Sequence, residues 1–408
     1  MKATSMRSLL RSRLATILLT ASGAAFAEGE SKTTLGGYAE AEYVNPVAGP
    51  FAKSHADVHR LVLFVAHGFD DKLSFHSELE VEHVLTELSK KSTTVTTIDK
   101  VSANGDSVKT KSGSVLTDVS SPGYVAVEQA FVDYRLGTTA GFRTGLLLVP
   151  VGIVNETHEP NTYHGVHRPL YANSFIPTTW RDLGIIAYGN PVEGLHLKGG
   201  VMAGLSGSKI GGASGLRSGR QKGGKSNAEN LSLVARAEYT LPFAKLGLGS
   251  WFGGTSGGDT AIGDGNFDGS VLVVAGDVRA EYQGLFVRAE GGVIELPDAE
   301  KLQAVHKKNP GERMVGGYVE VAYDVLPLLL PETEQALLPF VRYEKIDTHF
   351  EVPSNVVGNP ANSQTQIVAG LTWKPHSQVS FKADYTWLRN ETGIGGVDLL
   401  KLGVGCSF

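Results

Sequence analysis

The last twelve residues constrain this chain most. From Val397 to Phe408, Leu400, Leu402, Val404, Cys406 and Phe408 share one phase of a two-residue period. Leu399, Lys401, Gly403, Gly405 and Ser407 share the other. A strand has this period because successive side chains point to opposite faces. One apolar face beside a small or polar face suits a strand lying between lipid and water. The start of the chain accounts for how such a strand would reach a membrane. Lys2, Arg7, Arg11 and Arg13 precede the apolar run Leu14 to Ala25, and Ala25-Phe26-Ala27 has the small-x-small form of a cleavage site. This reads as a secretory signal peptide over 1–27, too short and wrongly flanked to be a spanning helix. An exported chain that ends in an amphipathic strand with a terminal aromatic is expected to form a bacterial outer-membrane barrel over 28–408.

Composition agrees with that expectation. Gly contributes 50 of 408 residues, well above the usual ~7%. Cys406 is the single cysteine, so an internal disulfide is excluded and closure has to come from backbone pairing. The formal net charge of -5 argues against a nucleic-acid partner. After the leader, the sequence has no run of about 18 apolar residues, the length a spanning helix needs.

Alternation recurs along the chain. In 73–84, Leu73, Phe75, Leu79 and Val81 share one face, and Ser74, His76, Glu78, Glu80 and Glu82 the other. A helix would scatter those carboxylates around its circumference, whereas a strand stacks them on one side. Sixteen strands are predicted: 33–44, 55–67, 72–84, 123–136, 140–149, 183–190, 194–204, 231–241, 245–254, 271–282, 285–296, 313–326, 337–347, 363–374, 378–389 and 397–408. Most approach the 9–11 residues a tilted transmembrane strand requires. Long and short connections alternate, with PLLLPETEQA at 327–336 as the exception. Long outer loops and short periplasmic turns produce that rhythm, and an even strand count returns both termini to the periplasm. Tyr239, Tyr282, Trp373 and Phe408 fall near one set of strand ends, and Tyr43 and Trp387 near the other, as interfacial girdles would. The fold class expected is all-β: a sixteen-stranded antiparallel transmembrane barrel.

The third long connection, 150–182, differs from the rest. It carries prolines and aromatics together with Glu156, His158, His164, His167, Arg168 and Arg181. Such a composition suggests a loop that packs, most simply by folding into the lumen, where it would narrow the pore and set the field. Constrictions of that kind select by diameter and by charged side chains. The alternative is a loop held against the outer rim or a subunit interface. By contrast, 205–230, with Lys209, Arg217, Arg220, Lys222 and Lys225, reads as a solvated basic loop, and 85–122 as a mobile Ser, Thr and Lys-rich surface.

The segments LLLVPVGIVNETHEP and RPLYANSFIPTTWRDLGIIAYG, followed by short turns and a terminal Phe, resemble the phosphate-selective porin O/P family and its sixteen-stranded relatives. The resemblance covers most of the mature chain, with its specific part at about 145–189. It implies a homotrimeric, water-filled channel with an inward third loop and basic selectivity residues. The matching candidates are Arg143, Arg168 and Arg181 near the loop, and Arg236, Arg279, Arg288 and Arg342 on polar faces. Those same faces carry Glu78, Glu80, Glu82, Glu238, Asp277, Glu281, Glu290, Glu320, Asp324 and Glu344, a mixture that does not single out phosphate. Wall arginines also brace neighbouring strands by pairing with acids, and Asp277, Arg279 and Glu281 are read this way against Arg288 and Glu290.

Other motifs are weaker. Asp264, Asn266 and Asp268 match the start of a D-x-N-x-D-G calcium loop, but Ala275 stands where the bidentate Glu belongs, and turns use the same residues without a metal. His158, His164 and His167 could hold a transition metal, although imidazoles in a pore loop more often tune the field. That role would make conductance vary between about pH 5 and 8. Gly254-Thr255-Ser256-Gly257-Gly258 matches G-x-S-x-G but lacks the strand–turn–helix setting of a nucleophile elbow. The function expected is passive diffusion of small hydrophilic solutes or inorganic anions, without catalysis or a resident cofactor, in contact with outer-membrane lipid and lipopolysaccharide. The alternatives are a surface or adhesive protein anchored by a closed barrel and, further off, a barrel lipid hydrolase.

Overall fold

A computed structural model describes residues 32–49, 53–83, 92–98, 110–116, 123–255 and 269–408. The leader and the calcium candidates Asp264, Asn266 and Asp268 lie outside the described residues. The strands are β1 (Lys32–Ala48), β2 (His55–Gly68), β3 (Leu73–Glu82), β4 (Ser92–Ile98), β5 (Thr110–Leu116), β6 (Tyr124–Arg135), β7 (Ala140–Leu148), β8 (Arg181–Val192) and β9 (Leu195–Ala203). They continue as β10 (Leu231–Thr240), β11 (Ala244–Gly254), β12 (Ser270–Tyr282), β13 (Leu285–Glu295), β14 (Arg313–Tyr323), β15 (Ala336–Glu351), β16 (Ser363–His376), β17 (Val379–Asn390) and β18 (Val397–Ser407). Sixteen of them close into one antiparallel barrel in which each strand pairs with its neighbour in sequence. The other two, β4 and β5, pair with each other, so the 85–122 connection, expected as plain mobile surface, contains a hairpin.

Closure is made by β1 and β18. Their register runs from Tyr38 opposite Ser407 to Ala48 opposite Asp398. Phe408 extends the seam: Gly37 N donates to Phe408 O at 3.0 Å, and Phe408 N donates to Gly37 O at 2.9 Å. A Cβ on Gly37 would lie 2.9 Å from the Phe408 ring and 2.3 Å from Val62 O, so glycine makes room for both.

The faces follow the alternation. On β3, Ser74, His76, Glu78 and Glu80 are buried, while Leu79 is exposed. On β10, Leu231 and Leu233 are exposed, and Ser232, Val234 and Arg236 are buried. The apolar phase is therefore the outer surface and the charged phase lines the interior, the arrangement expected of a barrel in lipid. Tyr43, Tyr239, Tyr282, Trp373, Trp387 and Phe408 are all exposed on that outer surface.

The interior is not polar throughout. Phe131, Val234, Trp251, Val273, Met314 and Ile346 point inward from the wall and pack with Tyr171, Phe175, Ile176 and Trp180 of the third long connection. Leu205, Ile210 and Leu216 join them, which corrects the reading of 205–230 as a solvated loop. Leu302 of a helix over Ala299–His306 completes the cluster. A signal for this core lies in β12, where Val271, Leu272, Val273, Val274 and Ala275 are apolar in both phases. A strand covered on both faces reads as a continuous apolar run.

Deleting Phe408 removes two seam hydrogen bonds and is expected to destabilise the closed barrel by about 1–3 kcal/mol. A lower temperature for loss of the compact, heat-modifiable species in gels would show this; an unchanged temperature would refute it.

Candidate functional site: the loop that crosses the interior

The connection between β7 and β8 begins at Val149 and returns at Trp180. Asn155, almost fully buried, fastens its neck. The Asn155 amide donates to Val149 O at 2.7 Å and to Trp180 O at 3.2 Å, and its carbonyl accepts from Trp180 N at 2.7 Å. A short helix α1 (Ile153–Glu156) carries this residue.

From the neck, the loop reaches inward-facing groups on many strands. Ile153 N donates to Glu290 of β13 at 3.1 Å. Glu156 pairs with Lys198 of β9. His158 meets Glu78 of β3 at 3.2 Å and Glu128 of β6 at 3.5 Å. Tyr163 donates to Glu40 of β1 at 3.0 Å, and His167 meets Glu42 at 2.9 Å. Val166 N donates to Asp384 of β17 at 2.7 Å, and Tyr171 N to Glu344 of β15 at 2.9 Å. Partners distributed around a closed ring place the loop across the interior.

A second set of contacts runs from wall cations to loop carbonyls. Lys374 donates to Asn161 O at 2.9 Å, Lys382 to Tyr163 O at 3.0 Å and Arg288 to Thr162 O at 2.5 Å. Arg342 donates to His164 O at 3.1 Å while also pairing with Glu320 at 3.0 Å and Glu344 at 2.7 Å. Lysine and arginine carry only donors, so a carbonyl accepts their bond without cancelling their charge.

Glycines in the wall make space for the loop. A Cβ on Gly405 would stand 2.5 Å from Pro160, and one on Gly316 would stand 3.1 Å from Phe175. The small phase of the terminal strand is thus a seat for the loop. Sequence reading missed this, although Gly403 and Gly405 in an otherwise polar phase were a usable signal. Glu40, Glu42, Glu128, Lys374, Lys382 and Asp384 were also missed as loop partners, because only the barrel's closure brings them near it.

The predicted site residues do not form one cluster. Arg143 pairs with Asp133 at 2.8 Å and lies 5.4 Å from the Phe131 ring centroid. Arg168 donates to His158 O at 2.9 Å, and Arg181 pairs with Glu128 at 2.9 Å. Among wall residues, Arg236 pairs with Asp277 at 2.8 Å and Glu238 at 3.2 Å, and Arg279 pairs with Glu238. Glu80 and Glu82 face Arg60 at 3.6 and 3.5 Å. The expected brace between β12 and β13 is corrected by their register. Arg279 stands opposite Arg288, and Asp277 opposite Glu290. Like charges face each other there, and their compensation comes from Asp277 beside Arg279 at 3.7 Å, from β10, from Glu320 opposite Arg288 on β14 and from the loop.

The three loop histidines occupy separate environments. His164 stacks on Phe340 at 5.8 Å between centroids. Burial, reinforced by Lys374, Arg288, Lys382 and Arg342, holds it well below the ordinary imidazole range. His167 is lowered by burial and Lys401 against the pull of Glu42. At His158 burial opposes the charged form, but Glu78 and Glu128 outweigh it and push the ring up to about 10. His158 therefore stays charged between pH 5 and 8, and His164 is biased toward its neutral form. A conductance change across that range, if found, does not come from His158.

No family model matches the chain. Its fold matches that of several outer-membrane porins. The outer-membrane channel DcaP of Acinetobacter baumannii aligns at a TM-score of 0.55 with 10% identity over 94% of this chain and 100% of that one. An anion-selective porin from Comamonas acidovorans aligns at 0.53 with 12% identity over 93% of this chain and 100% of that one. OmpF of Salmonella typhi, in complex with daunomycin, aligns at 0.54 with 12% identity over 93% of this chain and 98% of that one. The fold is a porin-like barrel. Within it, the chain belongs to the family of an uncharacterized protein of Aquifex aeolicus (strain VF5), 32% identical over 366 residues, 86% of this chain and 74% of that protein.

Asn155→Ala strands the Trp180 N–H in a buried neck, while Trp180 O and Val149 O keep the N–H groups of Val149 and Val151, and a cost of about 1–3 kcal/mol is expected. Denaturation midpoints of the folded protein measure it, and a change below about 0.5 kcal/mol would refute the clamp. The raised His158 contributes stability that is complete below its unfolded value of about 6.5 and is lost as pH rises through about 10. Wild type should lose stability across that window, and His158→Gln should show a flatter profile. Equal slopes would remove the assignment.

Proposed function

We propose that this protein is an outer-membrane diffusion channel for small hydrophilic solutes, narrowed by its third long connection and assembled as a trimer. The observation that carries the reading is the loop's attachment at many points around a charged interior. Strands β1, β3 and β6 present Glu40, Glu42, Glu78, Glu80 and Glu128, and Arg60 of β2 lies among them. Strands β13, β16 and β17 present Arg288, Lys374 and Lys382, whose loop partners are neutral carbonyls. A polar solute beside the loop meets charges of both signs, felt strongly where the surroundings are low in dielectric.

A modest anion preference follows from the carbonyl-bound cations. Phosphate-specific selection has less support, since Arg143 and Arg181 are tied to carboxylates and Arg168 to a carbonyl. The trimer rests on resemblance, and one solved relative in fold, OmpT of Vibrio cholerae, is described in a trimer form at a TM-score of 0.50, 9% identity, 93% of this chain and 100% of that one. A closed barrel that anchors surface loops is the competing reading, and the apolar packing of Trp180, Trp251, Leu205 and Leu216 in the interior favours it.

Planar-bilayer recording of the purified, folded protein separates the two. Ohmic steps with a reversal potential on the anion side are expected, with a shift toward cations in the double variant Lys374→Glu, Lys382→Glu. Folded protein that gives no steps would establish the closed reading.

A further inference from the structure

Three side chains converge where the loop meets β3 and β6: His158, Glu78 and Glu128. Each is almost fully buried. His158 Nε2 lies 3.2 Å from Glu78 Oε1 and 3.5 Å from Glu128 Oε2, and one ligand atom from each residue falls within 4.8 Å of the others. With two sides of 3.2 and 3.5 Å and a third of up to 4.8 Å, a point equidistant from the three atoms lies roughly 2–2.4 Å from each, close to the bond lengths of divalent cations to nitrogen and oxygen.

The outer atom of each group is held by something else. Gln129 Nε2 donates to Glu78 Oε2 at 2.6 Å. Arg181 Nη1 donates to Glu128 Oε1 at 2.9 Å. His158 Nδ1 faces Asn155 O at 3.1 Å, which fixes the proton on Nδ1 and turns Nε2 toward the carboxylates. Metal-binding imidazoles are typically oriented in this way, by a carbonyl or carboxylate on the second nitrogen. Glu128 Oε2 points into the centre from a fully buried side chain and makes no hydrogen bond among the described residues; its partner is His158 Nε2 at 3.5 Å. A buried carboxylate oxygen without a hydrogen bond is costly, and a bound ion between it and the imidazole would relieve it.

We propose that Glu78, Glu128 and His158 bind one divalent transition-metal ion of the Zn2+ or Mn2+ class, pinning the loop to the wall at β3 and β6. One nitrogen and two carboxylate oxygens suit such borderline and hard cations better than they suit soft ones. The site differs from the three-histidine arrangement that the loop's sequence suggests, because His164 and His167 contact other strands. It does not depend on whether the interior conducts.

A proton is the metal's competitor. An imidazole must give up its Nε2 proton to bind a metal, so binding releases that proton and tightens as pH rises. Arg181 on Glu128 and Arg168 on the His158 carbonyl oppose the ion electrostatically.

The test uses full-length protein, folded in detergent, stripped with chelator and titrated separately with Zn2+ and Mn2+ by calorimetry, with bound metal counted by elemental analysis. One equivalent is expected, bound more tightly at pH 8 than at pH 6. His158→Gln and Glu128→Gln should each weaken it more than tenfold, while His164→Gln leaves it unchanged. Heat-modifiable gel migration confirms that each variant is folded. If either ligand variant fails that check, Gln129→Ala, which frees Glu78 without removing a ligand, should weaken binding about tenfold. Absence of a tight equivalent in wild type overturns the proposal. So does binding that survives in His158→Gln and Glu128→Gln, which would place the ion on exposed histidines such as His55 or His83.

Discussion

Backbone hydrogen bonding governs this structure before any side chain does. In hydrocarbon an unpaired N–H or C=O has no water to turn to, so a sheet must have no edge. Sixteen antiparallel strands meet that demand only when β1 finds β18, and Gly37 with Phe408 carries the seam to the last residue. Once the ring is closed, the alternation of side chains has two destinations. The apolar phase faces lipid, and every charged residue of the other phase shares one enclosed space.

That enclosure explains why the interior is crowded with compensation. Arg342 sits between Glu320 and Glu344 with almost no exposure, a cost recovered only because both acids and two loop carbonyls reach it. The loop is not a lid over a finished pore. It supplies N–H and carbonyl groups that the wall's charges need, and apolar side chains that the wall's inward valines and tryptophan need. The barrel thus has an internal core, built between loop and wall, in addition to its lipid-facing surface.

The strands were legible because their signal is local. All sixteen predicted segments overlap barrel strands, since period-two alternation is written in adjacent residues. The packed character of 150–182 was legible from its prolines and aromatics. What the loop touches was not. Glu40 lies 123 positions from Tyr163, and Lys382 lies 219 positions from it, and only the barrel's circumference makes them neighbours. The 205–230 loop misled for a different reason. Its glycines and basic residues outnumber Leu205, Ile210 and Leu216, yet three well-spaced apolar side chains suffice to bury it. The β12–β13 pairing misled because alternation fixes which face a charge takes, while register fixes which charge it meets.

That register has a bearing on assembly. With Arg279 opposite Arg288 and Asp277 opposite Glu290, this hairpin sets like charges directly across from each other, while Arg279 and Asp277 lie 3.7 Å apart along β12. Arg279 and Asp277 find partners on β10, and Glu290 and Arg288 turn to Ile153 N and Thr162 O of the loop. An empty cylinder with the same strands would lack the loop's share of that compensation. The wall therefore distinguishes a merely closed barrel from a completed one, in which Ile153 N meets Glu290 and Thr162 O meets Arg288.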